Sequence, residues 1–298
     1  MTFFMIGSDI YKVKQVVDKR KKTIAFDDLP TFSVVIPAHN EEDTIFRAVQ
    51  SVALARYPKN KLQIIVVDDG STDATLEIAK QCQYQYRIDF KFVSQKNAGK
   101  AHALNNGMKN YATGELVMCL DADSSLERNA LINAANYFID EKVVALSANV
   151  KIRQTQSILN IIQMFEYLVC YQMKRAQTIF NIEYIIGGIG SVFRRSALDK
   201  VGYYDTDTIT EDIDLTMKFI QLGNKQNRVI YGADVIAYTE SVLSLGGLIK
   251  QRFRWKYGRA QTFIKNRKLF FSSDKRNSRF LTYFYLPYAI FSDVAFFF

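Results

Sequence analysis

Along the first half of the chain, short unbroken apolar runs alternate with apolar positions spaced three and four apart. The run at 32–36 reads as a buried strand, and 41–54 as an amphipathic helix on which Ile45, Ala48, Val49 and Val52 share one face. The same rhythm predicts strands at 63–67, 90–93, 115–120 and near 143–150, with helices over 73–81, 100–111 and 128–139 between them. Strands rich in β-branched residues and separated by helices define an α/β fold with a mostly parallel, doubly wound sheet. In such sheets ligands sit beyond the carboxyl ends of the strands.

Polar residues fall at those ends. Strand one runs into Pro37-Ala38-His39-Asn40-Glu41, strand two into Asp68-Asp69-Gly70, and strand four into Asp121-Ala122-Asp123. Neither a GxGxxG turn nor a GxxxxGK[ST] loop follows strand one, so a glycine-rich phosphate cradle is excluded there. Asp121 and Asp123 could reach one site if Ala122 turns the chain, and hard oxygen ligands of this kind suit Mg²⁺ or Mn²⁺ shared with a diphosphate. The plainer alternative is a solvated loop with a helix-capping aspartate. Asp69 could accept a ring N–H of a pyrimidine or could simply shape its turn.

Two later segments add chemistry. Thr210-Glu211-Asp212 opens a helix, where acids favour the macrodipole and Thr210 would cap; Asp212 could equally serve as a general base toward a hydroxyl. A helix over 245–264 carries Leu245, Ile249, Phe253, Tyr257, Ala260 and Ile264 as one stripe, and at about 100° per residue Trp255 lies well away from it, near Gln251. An aromatic ring beside an amide suits a sugar, and arginines beside it suit a diphosphate. The stripe and its bases also fit an interfacial helix on an anionic membrane. An apolar segment at 157–173, interrupted by Asn160, Gln163 and Glu166, reads as an amphipathic helix rather than a membrane span. His39 and His102 read as structural or surface residues.

Composition narrows the class. A chain of 298 residues with 48% apolar residues can build a substantial core, which excludes disorder. Three dispersed cysteines form no metal or disulfide framework and fit a reducing compartment. The formal charge of +9 would suggest nucleic acid, but it is concentrated at two places. Every charged residue of 246–280 except Asp274, and of 11–22 except Asp18, is lysine or arginine, so the remaining body is net acidic and no nucleic-acid partner is expected. The run at 280–298 is apolar and aromatic and reads as the start of a transmembrane or interfacial segment. Lys275, Arg276 and Arg279 would keep the body on the cytoplasmic side of the membrane.

The ordered set Asp69, Asp121-Ala122-Asp123, Thr210-Glu211-Asp212 and Gln251-Arg252-Phe253-Arg254-Trp255 resembles the D, DxD, TED, QxxRW pattern of processive family-two glycosyltransferases, the cellulose, chitin, hyaluronan and poly-N-acetylglucosamine synthases. Further likeness lies in 34–41, 97–105 and 190–198. The resemblance implies a GT-A fold and inverting, metal-dependent transfer from a UDP-sugar to a growing β-linked polysaccharide. It implies that Ala38, Glu41, Asp69 and Lys100 contact the uridine end, that Asp121 and Asp123 hold diphosphate and Mg²⁺ or Mn²⁺, and that Asp212 is the base. Gln251 and Arg254 would grip the diphosphate, while Trp255 and Glu211 would meet the carbohydrate acceptor.

The corresponding division is a basic membrane-proximal segment at 1–29, a catalytic domain at 30–240, an interface helix and basic linker at 241–279, and a membrane segment beginning at 280. Membrane lipids and membrane partner subunits are the expected associates. Two other readings stay open: a non-processive enzyme adding one sugar to a lipid or glycan, and a silent nucleotide-sugar-binding subunit, which the intact acid set argues against.

Overall fold

The computed structural model describes residues 2–21, 23–153 and 157–295. Its elements in chain order are α1 (Thr2–Lys21), β1 (Phe32–Ala38), α2 (Ile45–Ala53), β2 (Leu62–Asp68), α3 (Thr75–Gln81), β3 (Asp89–Ser94), α4 (Lys100–Asn106), β4 (Leu116–Cys119), β5 (Ser125–Leu126) and α5 (Ala130–Tyr137). There follow β6 (Val143–Ile152), α6 (Ile158–Phe180), β7 (Ser191–Arg194), α7 (Arg195–Val201), α8 (Glu211–Gln221), β8 (Arg228–Thr239), α9 (Leu245–Lys265) and α10 (Leu286–Ala295).

One eight-stranded sheet runs in the order β3-β2-β1-β4-β7-β6-β8-β5. The pleat alternates its load. Val34, Ile36, Ile64 and Val66 pack with Ile45 and Val49 of α2 and Leu131 of α5, whereas Val35, Ile65 and Val67 pack with Leu104 of α4 and with Leu215 and Phe219 of α8. Burial on both faces is why these strands read as continuous apolar runs.

The sheet is mostly parallel, as the sequence suggests, and β6 also pairs parallel with β8, but it is not purely so. β1 through β4 are parallel, but β7 inserts antiparallel between β4 and β6, and β5 pairs antiparallel with β8, so the sheet is mixed. β7 has only four residues, too few for a periodic signal, and β8 is interrupted by Gly232 and Asp234. Thr210 is also not a side-chain cap for α8; its hydroxyl lies 3.3 Å from that of Thr262 on α9.

The basic N-terminal segment forms a helix against α6 and β8. The Tyr11 hydroxyl donates to the Tyr231 carbonyl (2.6 Å), and Gln15 donates to the Tyr137 hydroxyl (2.8 Å). Arg175, fully buried, donates to the Ser8 carbonyl (2.7 Å) and lies over the rings of Tyr11 and Tyr171. At the other end, a π-helical turn at Phe280–Tyr285 leads into α10. Leu281 and Leu286 are fully buried with Tyr184, Phe263 and Leu269, while Phe284 and Phe291 are 66% and 70% exposed. No helix among the described residues is long and apolar enough to cross a membrane, and residues 296–298, the end of the expected span, lie outside them.

Tyr11→Ala removes a buried ring and its hydrogen bond, a loss on the order of 3–5 kcal/mol for large-to-small aromatic changes. The expected outcome is faster amide hydrogen exchange along α1 with protection of β1 and β4 retained. Unchanged exchange in α1 would show that Tyr11 does not hold it.

Candidate active site

Each polar cluster begins where a buried strand stops. After β2, the Asp69 carboxylate accepts from Gln95 Nε2 (2.8 Å) and from the amides of Ala98 (2.9 Å) and Gly99 (2.8 Å), which pins the loop leading to α4. Three of its roughly four acceptor positions are thereby used. Gly99 at φ +95° supplies a backbone angle that L side chains rarely adopt, and it turns the chain so that Lys100 starts α4. After β4, the Ser124 amide donates to the Asp121 carbonyl (3.0 Å), the tight turn at Ala122 that brings both aspartates to one side.

A cavity of about 230 Å³ gathers Ala38, His39, Glu41, Asp69, Lys100, Asp121, Ala122 and Asp123. Lys100 Nζ is 2.6 Å from Asp121 Oδ1. Burial works against its charge, but Asp121, Glu211 and Asp212 together raise its pKa above the ordinary lysine value. Burial, then the charge of Asp121, raises Asp123; burial, then Asp123 and Asp121, raises Glu41 against the hydrogen bond from Thr44. His39 binds the Asp69 carbonyl (3.0 Å), which accords with its structural reading, yet it also lines this cavity.

Asp212, in the first turn of α8, lies near Lys100. Its carboxyl is pushed up to about 6, chiefly by burial and then by the Glu211 charge, with Lys100 opposing. A Cβ built on Gly188 would lie 3.2 Å from Lys100 Nζ and 3.9 Å from Asp212 Oδ2. Gly188 therefore keeps open the space between the two groups. The sequence reading missed it, since one glycine among Gly187-Gly188-Ile189-Gly190 carries no periodic or motif signal.

Gln251, Arg254 and Trp255 stand outside the cavity lining, with Arg254 exposed and Trp255 36% exposed. Arg252 organises this group. Its guanidinium lies 4.3 Å from the Trp255 ring centroid, donates to Gln251 Oε1 (2.8 Å) and pairs with Glu166 of α6.

The register between α8 and α9 is fixed separately. A Cβ at Gly258 would meet Thr210 Cγ2 at 2.5 Å, so the helices cross closely there. Lys265 Nζ donates to Asp205 (2.7 Å), Asp207 (2.6 Å) and buried Asp214 (2.8 Å). Among the described residues these three acids have ligand atoms within 4.8 Å of one another, and an ammonium already serves them.

Residues 33–202 match the family described as Glycosyl transferase family 2, and the chain belongs to that family. It is a glycosyltransferase. Over 293 residues it is 35% identical to poly-β-1,6-N-acetyl-D-glucosamine synthase of Staphylococcus aureus (strain MSSA476), covering 95% of this chain and 68% of the synthase. The same synthase of Staphylococcus epidermidis is 36% identical over 241 residues, 78% of this chain and 56% of the synthase. Among solved structures, the mannosyltransferase PcManGT from Pyrobaculum calidifontis in complex with GDP-Man and Mn²⁺ superposes with a TM-score of 0.67 at 25% identity, covering 89% of this chain and 73% of that one. Staphylococcus aureus TarS 1–349 in complex with UDP-GlcNAc shares the GT-A-like fold with a TM-score of 0.54 at 23% identity, over 72% and 59% of the two chains.

Gly188→Val places side-chain atoms between Lys100 and Asp212. Its expected effect is loss of turnover by about 100-fold or more with the folded state retained, checked by UDP release and thermal melting. Wild-type turnover would show that this space is not where the reaction occurs.

Proposed function

We propose that this chain transfers N-acetylglucosamine from UDP-N-acetylglucosamine to the hydroxyl of a growing β-linked polysaccharide, with inversion at the anomeric carbon. The observation that carries the reading is the position of Lys100, paired with Asp121 at 2.6 Å and flanking the same open space as Asp212. Groups suited to a departing diphosphate and a group suited to a proton thus face one small volume. The likeness to poly-N-acetylglucosamine synthase, over 95% of this chain and 68% of the synthase, supports the choice of sugar.

In this mechanism Ala38, Glu41 and Asp69 bind the uridine end, and Asp121 with Lys100 faces the diphosphate. The acceptor hydroxyl oxygen bonds to the anomeric carbon from the side opposite the diphosphate while the carbon–oxygen bond to that group breaks, and the hydroxyl proton passes to Asp212. Glu211 and Trp255 hold the acceptor sugar; Gln251 and Arg254 approach the diphosphate from α9. Asp121 and Asp123 fit Mg²⁺ or Mn²⁺, because they share one cavity and burial with the neighbouring Asp121 charge disfavours the charge on Asp123, which a hard cation would relieve. Such an ion supplies neutralisation of the negative charge that grows on the leaving UDP.

We place the reaction at the cytoplasmic face of a membrane. Leu245, Ile249, Phe253, Tyr257 and Ile264 form an outward row on α9 beside exposed Lys250 and Arg254, and Ile158, Ile161, Phe165 and Leu168 form another on α6. Apolar rows with flanking bases suit an anionic lipid surface.

Two outcomes are expected. Asp212 acts as a base only when ionised, so turnover should rise through about pH 6, fall about tenfold for each unit below it, and level off above. Asp212→Asn should abolish turnover while UDP binding persists; retained turnover with the same pH profile removes the base assignment. Separately, Ile249→Glu with Phe253→Glu should cut co-flotation with anionic vesicles at least about tenfold without altering UDP affinity. Unchanged flotation would count against the membrane face.

A further inference from the structure

Lys100 is the one ammonium among the residues lining the acidic cavity, where it shares the space with Glu41, Asp69, Asp121 and Asp123. Its partner atom, Asp121 Oδ1, belongs to the aspartate pair that fits a divalent cation, and the two side chains are 40% and 25% exposed. The other cation close by, Arg47, is engaged elsewhere: its Nη2 lies 2.6 Å from Glu240 Oε1 and reaches only the main-chain carbonyl of Asp123. The open space kept by Gly188 adjoins both Lys100 Nζ and Asp212 Oδ2.

We infer that Lys100 is a resident counter-ion that competes with a divalent cation for Asp121 in the donor-free protein and, once displaced, turns its ammonium to the diphosphate. The inference rests on the UDP-sugar reading above and adds an order to it. Two cations at one carboxylate repel, so a free metal ion binds weakly while the lysine is in place. A metal ion that arrives with a diphosphate brings the negative charge that receives the lysine. The site would therefore favour the metal–nucleotide pair over the metal alone, and Lys100 would oppose one binding event while aiding the next.

The test measures Mn²⁺ binding to the full chain without nucleotide, by electron paramagnetic resonance of the free ion, for wild type, Lys100→Met and Lys100→Arg. Lys100→Met should bind Mn²⁺ about tenfold or more tightly than wild type, Lys100→Arg should not, and in the presence of Mn²⁺ Lys100→Met should bind UDP more weakly than wild type. Matching thermal melting curves keep folding out of the comparison. Equal or weaker Mn²⁺ binding by Lys100→Met overturns the inference, as does tighter binding that Asp123→Asn leaves intact, since the ion then sits elsewhere. If neither protein binds Mn²⁺ alone, the inference falls. The metal reading falls with it only if UDP fails to restore binding, and UDP release from UDP-N-acetylglucosamine reports the transfer reaction independently.

Discussion

The constraint on which the site depends is the repulsion among carboxylates gathered at one edge of a sheet. β1, β2 and β4 are parallel and adjacent, so the chain leaves all three at the same edge, and Glu41, Asp69, Asp121 and Asp123 follow. Each acid needs a partner. Asp69 takes three N–H groups and thereby shapes the loop that presents Lys100. Lys100 answers Asp121, and its charge is sustained further by Glu211 and Asp212 from a different layer of the molecule. One ammonium thus joins the acidic cavity to the start of α8.

That junction is useful only if α8 and α9 hold their places. Gly258 lets the two helices approach until a methyl group would collide with Thr210, and Lys265 with Asn266 fastens α9 to buried Asp214, two residues beyond Asp212. A lysine shared by three acids sets an angle as well as a distance, because Asp205 and Asp207 lie in the loop before α8 while Asp214 lies on α8 itself. On the opposite side Glu166 holds Arg252 over Trp255, so α6 governs the aromatic ring in which the sequence suggested a sugar platform. α1 in turn backs α6 through Tyr11 and Arg175.

Legibility followed length and repetition. β1, β2 and β4 are apolar on both faces and sit where a plain reading of runs puts them, and the acids at their ends were found because strand ends are where such sheets bind ligands. β7 could not be read: four residues show no period, and its antiparallel insertion makes the sheet mixed. The stripe on α9 was recognised correctly as a stripe but points outward, while the face that packs is built on Leu248, Gly258, Thr262 and Phe263, two of them not apolar side chains at all. Gly188 escaped notice, and Glu166 was read only as a polar break in its helix, because their importance is what they leave empty or hold still, and neither property has a local pattern.

The proposed reaction is a single displacement in the space between Lys100 and Asp212. It is tested most directly by supplying the chain, in anionic lipid with Mn²⁺, with UDP-N-acetylglucosamine, whose sugar is α-linked, and an oligosaccharide acceptor. The anomeric configuration of the product is then read by nuclear magnetic resonance. The account predicts a β-linked product that is lost with Asp212→Asn. An α-linked product would contradict it, since retention requires chemistry on the other face of the sugar.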